Sequence, residues 1–114
     1  MPSFTKSPLP LVARFEEIAA RFPEAQPRKM FGYPALFVGG NLVTSLFADR
    51  WTIRLGPADL TEALALPGAD PFSPMAGRIM TGYALLPVAI VADDEALVPW
   101  IERAIAFGRT LPAK

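Results

Sequence analysis

Histidine and cysteine, the side chains that most often shuttle protons, attack carbonyls or hold transition metals near neutral pH, do not occur in this chain. Acid–base chemistry would therefore fall to carboxylates: Glu16, Glu17, Asp59, Glu62 and the run Asp93-Asp94-Glu95. Each stands where a solvated helix face or a helix N-terminus accounts for it, and anions at a helix N-terminus are stabilised by the backbone dipoles. The same capping role accounts for Asp93-Asp94-Glu95 better than hard-metal ligation does. Thr44 and Ser45 lie in mid-strand with no base in sequence reach, and no serine sits in a strand–turn–helix nucleophile elbow. Gly39-Gly40 is too short for a phosphate-binding loop and no helical pattern follows it. No catalytic residue, metal ligand or cofactor site is assigned.

What remains is charge and apolar shape. Eleven Lys and Arg balance eleven Asp and Glu, so no global field draws the chain to nucleic acid. The distribution is uneven: residues 28–55 carry Arg28, Lys29, Arg50 and Arg54 against Asp49 alone. With Tyr33 these cations make the candidate partner-binding set. If strand pairing brings them together they suit an anionic partner, nucleic acid included; otherwise each is solvated or neutralised by Asp49 and the acidic helix ends. Met30, Met75 and Met80 with Phe31, Phe37 and Phe72 fit core packing, or alternatively the lining of an adaptable pocket.

The elements that must position these residues follow from periodicity. Leu11, Val12, Phe15, Ile18, Ala19 and Phe22 predict a helix over 8–22, with Ser7 as N-cap and Pro8 opening the first turn. From Arg28 the period becomes two, giving strands over 28–38, 42–48 and 51–55 with a tight turn at Gly39-Gly40-Asn41. Asp49-Arg50 is poor chemistry for a two-residue turn, so a longer loop or a bulge is expected there. Gly56-Pro57 opens a helix over 57–66. A proline- and glycine-rich loop from Pro67 to Gly77, anchored by Phe72 and Met75, leads to a strand over 78–86. Asp93 caps a last helix over 94–109, in which Pro99 predicts a kink or a late start. The fold class is α+β: an antiparallel sheet of four to five strands packed against helices, in the order α-β-β-β-α-β-(β)-α. Residues 1–6 read as a flexible tail and 7–114 as one domain. Phe15, Ile18, Trp51, Ile53, Leu64, Trp100, Ile101 and Ile105 are the predicted core.

Composition adds two expectations. A 52% apolar and 19% charged chain offers more apolar surface than one small core hides, which predicts self-association as a homodimer. The longest apolar stretch, Ala84 to Ala92, is interrupted by Pro87 and is about half the length of a membrane span. No signal peptide is visible and cysteine is absent, so a cytoplasmic protein with no membrane partner is expected.

At Arg28-Lys29-Met30-Phe31-Gly32 the chain resembles the TfoX N-terminal-domain family of bacterial competence regulators and related stand-alone proteins. The likeness continues through Phe37-Val38-Gly39-Gly40-Asn41, the strand Asp49 to Leu55, Asp70-Pro71-Phe72, Pro74 to Arg78, Tyr83 with Pro87, and Ala92-Asp93-Asp94 leading to Trp100. It implies an α+β fold with an antiparallel sheet against helices. It also implies a non-enzymatic regulatory or interaction domain, with a protein partner or a second copy as the foremost partner. The family supplies no agreed catalytic residues to carry over. The rival reading is a small-molecule-binding protein, or a minor enzyme, with its pocket between the sheet and the 67–77 loop.

Overall fold

Three successive two-residue hairpins follow the first helix, and they build most of the sheet. In the computed structural model, which describes residues 6–73, 77 and 79–114, α1 spans Leu9–Ala19 and is followed by β1 (Gln26–Met30), β2 (Tyr33–Val38), β3 (Asn41–Phe47) and β4 (Arg50–Arg54). The chain continues through α2 (Pro57–Leu64), β5 (Asp70–Pro71), β6 (Tyr83–Leu86), α3 (Val88–Val91) and α4 (Asp94–Thr110). The six strands are antiparallel in the order β1-β2-β3-β4-β6-β5. The α+β class therefore holds, with a larger sheet than the four to five strands expected.

The run expected as one strand over 28–38 is two strands, because Phe31 (φ 55°) and Gly32 (φ 82°) turn the chain back on itself. Gly39 and Gly40 supply the positive φ angles of the second turn, and the pair Val38↔Asn41 closes it as the sequence predicts. The third turn is also tight: Phe47↔Arg50 pair directly across Ala48-Asp49, with Ala48 at φ 52°, so no longer loop intervenes. Ser7, expected as the N-cap of α1, instead donates its hydroxyl to the Ala48 carbonyl at 2.6 Å, and Pro8 takes the cap position. α1 ends at Ala19, and Arg21 and Phe22 wind down through tighter turns rather than continuing it.

Sequence period two sorts the sheet into two faces. Leu36, Leu46, Trp51, Ile53, Ala84 and Leu86 face the helices and pack with Phe15, Ile18, Leu97, Ile101 and Ile105. Of the predicted core, only Leu64 is misplaced, at 37% exposed. Leu60 and Ala63 carry the inward stripe of α2, and Leu64, at the end of the helix, lies ~40° beyond Leu60 on the side away from Ala63. Within the sheet, Trp51 Nε1 donates to Thr44 Oγ1 at 2.8 Å, and Thr44 Oγ1 donates to the Thr52 carbonyl at 2.6 Å. This network satisfies polar groups that are wholly buried.

The other face is covered as well. Ala35, Leu42, Phe72 and Tyr83 form a second cluster, closed over by Phe47 and Met80, in which Tyr33, Phe47, Phe72 and Tyr83 stack in sequence with centroids 5.2, 5.1 and 6.2 Å apart. The expected anchor Met75 and the expected strand start Arg78 lie outside the described residues, as does the expected tail apart from Lys6. The last long strand begins at Tyr83. α4 runs unbroken from Asp94, capped by Asp93 accepting from the Glu95 amide at 3.1 Å, so Pro99 does not delay its start. Among the described residues no helix is long and apolar enough to cross a membrane.

Candidate interaction surface

The sheet places the five sequence candidates in different surroundings. Arg28, Arg50 and Arg54 project from the sheet face opposite the helices, and Lys29 from the helical side, as alternation requires. Arg50 lies three strand spacings from β1, roughly 14 Å. Its terminal nitrogens donate to Asp70 at 2.9 Å, to the Gly68 carbonyl at 3.1 Å and to the Leu86 carbonyl at 3.3 Å, while its Nε is buried without a partner among the described residues. Arg54 sits over the Tyr83 and Phe107 rings, 5.6 and 5.9 Å from their centroids. Burial pushes the Tyr83 hydroxyl above its ordinary range, and the nearby Arg54 charge opposes that shift. Tyr33 is buried against Phe47. Arg28 and Lys29 remain side by side on β1, with Arg28 5.5 Å over the Phe37 ring.

β1 is an edge strand and its exposed side faces α1. Two grooves of about 570 and 580 Å³ lie between that helix and the β1–β2 hairpin, and both are lined by Glu16, Lys29 and Pro34. The two grooves share these residues as a common border and together make a trough along α1. One end is floored by Phe15, Ala19, Phe22 and Ala25 with Arg28 at its rim; the other is bordered by Leu9, Val12 and Phe31 with Lys6. Leu9 at 82% and Phe31 at 50% are among the few large apolar side chains left exposed, and both stand at this one end. Phe31 is held there with a positive φ, a conformation that costs a non-glycine residue ~1 kcal/mol or more.

Three ion-pair clusters hold the rest of the surface. Arg14 NH2 stands 2.7 Å from Asp94 Oδ1 while its Nε donates to the Val91 carbonyl, and Arg21 reaches Asp94 Oδ2 at 2.8 Å, which fixes the outer side of α1 against α4. The Arg14 guanidinium, with Arg21 beside it, holds the Asp94 carboxyl below its usual range. Arg109 pairs with Glu24 and holds that carboxyl low by the same cause. Arg103 bridges Glu62 at 2.5 Å and Asp59 at 3.5 Å, and its guanidinium lies 4.4 Å over the Trp100 ring. Among the described residues Lys6, Arg28, Lys29, Arg54 and Lys114 have no carboxylate within ion-pair distance, and the first three of these border the trough.

Part of the loop expected to border a small-molecule pocket, residues 74–76, lies outside the described residues; among those described, side chains close over the sheet beside β5. Met30, Leu42, Phe47, Phe72 and Met80 meet there with no room for a water molecule between them. The trough residues on α1 escaped sequence reasoning because their helical stripe reads as core. Their only signals were two large apolar residues standing off any stripe: Leu9 beside the prolines, and Phe31 next to a glycine.

No curated protein and no solved structure matches the chain. The family model of the TfoX N-terminal domain matches residues 17–108, from near the end of α1 to the last turn of α4, so the whole sheet and the hairpin side of the trough lie within the matched region and most of the α1 wall precedes it. The chain belongs to the TfoX N-terminal domain family.

Proposed function

We propose that this domain is a non-catalytic, cytoplasmic regulatory module that recognises a macromolecular partner through the trough between α1 and the β1–β2 hairpin. What supports the reading is the coincidence there of two carboxylate-free cations, Lys6 and Lys29, with Arg28 at the rim, an apolar floor and two exposed apolar side chains. Five arginines elsewhere are held in ion pairs, whereas this surface offers apolar area beside unpaired lysines, the composition of a binding site. Membership of a family known for regulators supports the same reading, and a cysteine-free chain suits a reducing compartment.

Site-directed photo-crosslinking in the native cell tests it. A photoreactive side chain at Phe31 or Ala20 should yield a discrete adduct, one at the remote Glu102 should not, and Arg28→Glu/Lys29→Glu should abolish the adduct at both trough positions. Equal labelling at all three positions, or labelling indifferent to the charge reversal, would refute the reading.

A further inference from the structure

The trough has a length, and its charge has a sign. The α1 wall of 11 residues is roughly 16 Å long, the reach of about five extended residues, so the site is elongated in the manner of a polypeptide groove rather than a metabolite pocket. Lys6 and Lys29 face a single lining carboxylate, Glu16, while Arg28 borders the rim with its guanidinium over the Phe37 ring. We infer that the occupant is an acidic segment of a partner protein, its apolar side chains seated on Ala19, Phe22 and Phe31 and its carboxylates met by Lys6 and Lys29, with Arg28 at the rim. The inference rests on the proposed function and adds the chemistry of the partner.

The edge strand limits how that segment can bind. Met30↔Tyr33 closes a two-residue turn and is a hydrogen-bonded pair, as are Arg28↔Ala35 and Gln26↔Phe37 by alternation. The outward groups of β1 are therefore the Lys29 N–H and carbonyl and the Pro27 carbonyl, since Pro27 has no N–H. One donor cannot support a new strand, so recognition falls to side chains: apolar anchors for affinity, charge for selection. A nucleic-acid backbone fits less well. Arg50 and Arg54 are held elsewhere, and Glu16 stands in the middle of the path a phosphate chain would follow.

Selection of a random peptide display library on the complete chain decides the matter, followed by anisotropy titration of the enriched peptides and of duplex DNA. Enriched peptides should carry net negative charge with aromatic or aliphatic anchors. Their affinity should fall roughly tenfold or more with Arg28→Glu/Lys29→Glu and with Ala20→Trp, which fills the trough from an exposed position. The remote Glu102→Lys should bind as the parent does, and circular dichroism should show all variants folded. Enriched peptides that are basic or uncharged yet displaced by Ala20→Trp would overturn the acidic chemistry and leave the surface standing. No enrichment, or enrichment indifferent to Ala20→Trp, would overturn both this inference and the trough as a binding site. Duplex DNA bound in preference to every peptide and lost on charge reversal would reassign the cations to phosphate, and self-association abolished by Ala20→Trp would reassign the trough to a second copy.

Discussion

Replacing Thr44 by Val removes one buried hydroxyl and keeps the shape of the side chain. That hydroxyl accepts from the indole of Trp51 and donates to the carbonyl of Thr52, in a place where Thr44 and Thr52 are inaccessible and Trp51 is 1% exposed. The variant leaves the indole N–H buried without an acceptor, which costs ~1–3 kcal/mol, and removes one of two acceptor positions used on the Thr52 carbonyl, worth ~1 kcal/mol. The added methyl returns ~0.8 kcal/mol. The net expectation is a loss of about 2 kcal/mol, or roughly 8 °C in Tm for a domain of this size. Urea denaturation followed by far-ultraviolet circular dichroism measures it. A companion variant, Trp51→Phe, removes the donor itself; in that background Thr44→Val orphans nothing and should cost about 1 kcal/mol less. A Thr44→Val loss below about 0.5 kcal/mol, or a strictly additive double variant, would refute the argument that this bond, rather than shape, holds the β3–β4 core.

Gly108 of α4 packs so closely on the sheet that a Cβ there would stand 2.6 Å from Val43 Cγ1, so Gly108→Ala should cost about 1–3 kcal/mol, and adding Val43→Ala should cost less than the two changes summed. Trp100→Ala should cost roughly 3–5 kcal/mol, because the ring is buried against α4's inner stripe and roofed by Arg103; a loss below about 1 kcal/mol would show it free to serve as a contact instead. The Asp94 carboxyl is held below its ordinary 3.8 by Arg14 and Arg21, so its stabilising contribution is complete above that value and is lost as pH falls through the lower folded value. Asp94→Asn should therefore lower stability at neutral pH and flatten the acid limb of a stability–pH curve, the two proteins converging at the lowest pH; parallel curves would refute the linkage.

The sheet was largely legible because its signals are local. Gly39-Gly40 announces positive φ, and Trp51-Thr52-Ile53-Arg54-Leu55 alternates cleanly. The turn at Phe31-Gly32 escaped because a phenylalanine at positive φ is no turn signal, and the strand was extended through it. Ala48-Asp49 escaped for the same reason, since its conformation is held from outside by the Ser7 hydroxyl across 41 residues. The cations were legible as a cluster in sequence but not in space. Whether Arg50 is free depends on Asp70, and whether Arg21 turns to the nearby Glu17 or to Asp94 depends on how α4 lies against α1, which no periodicity encodes. The trough belongs to the same category: α1 reads as an ordinary amphipathic helix until the hairpin is placed beside it.

Where this domain can meet a partner follows from what the fold has already covered. Helices close one sheet face, and Phe72 with Met80 closes the other, so neither face is open to a flat ligand. One sheet edge is the two-residue β5, held by the Arg50–Asp70 pair, which leaves β1 as the long edge. An exposed edge invites pairing with any other strand, and β1 carries the usual protections against it: a proline that removes a donor and two adjacent cations that repel a second copy. Those protections are selective as well as defensive. A strand offering only backbone finds a single donor, and a basic or identical strand is repelled. A segment that brings carboxylates and apolar side chains finds both partners already in place along α1. On the inference drawn above, resistance to self-pairing and preference for an acidic partner would both follow from the same stretch of β1, Pro27, Arg28 and Lys29.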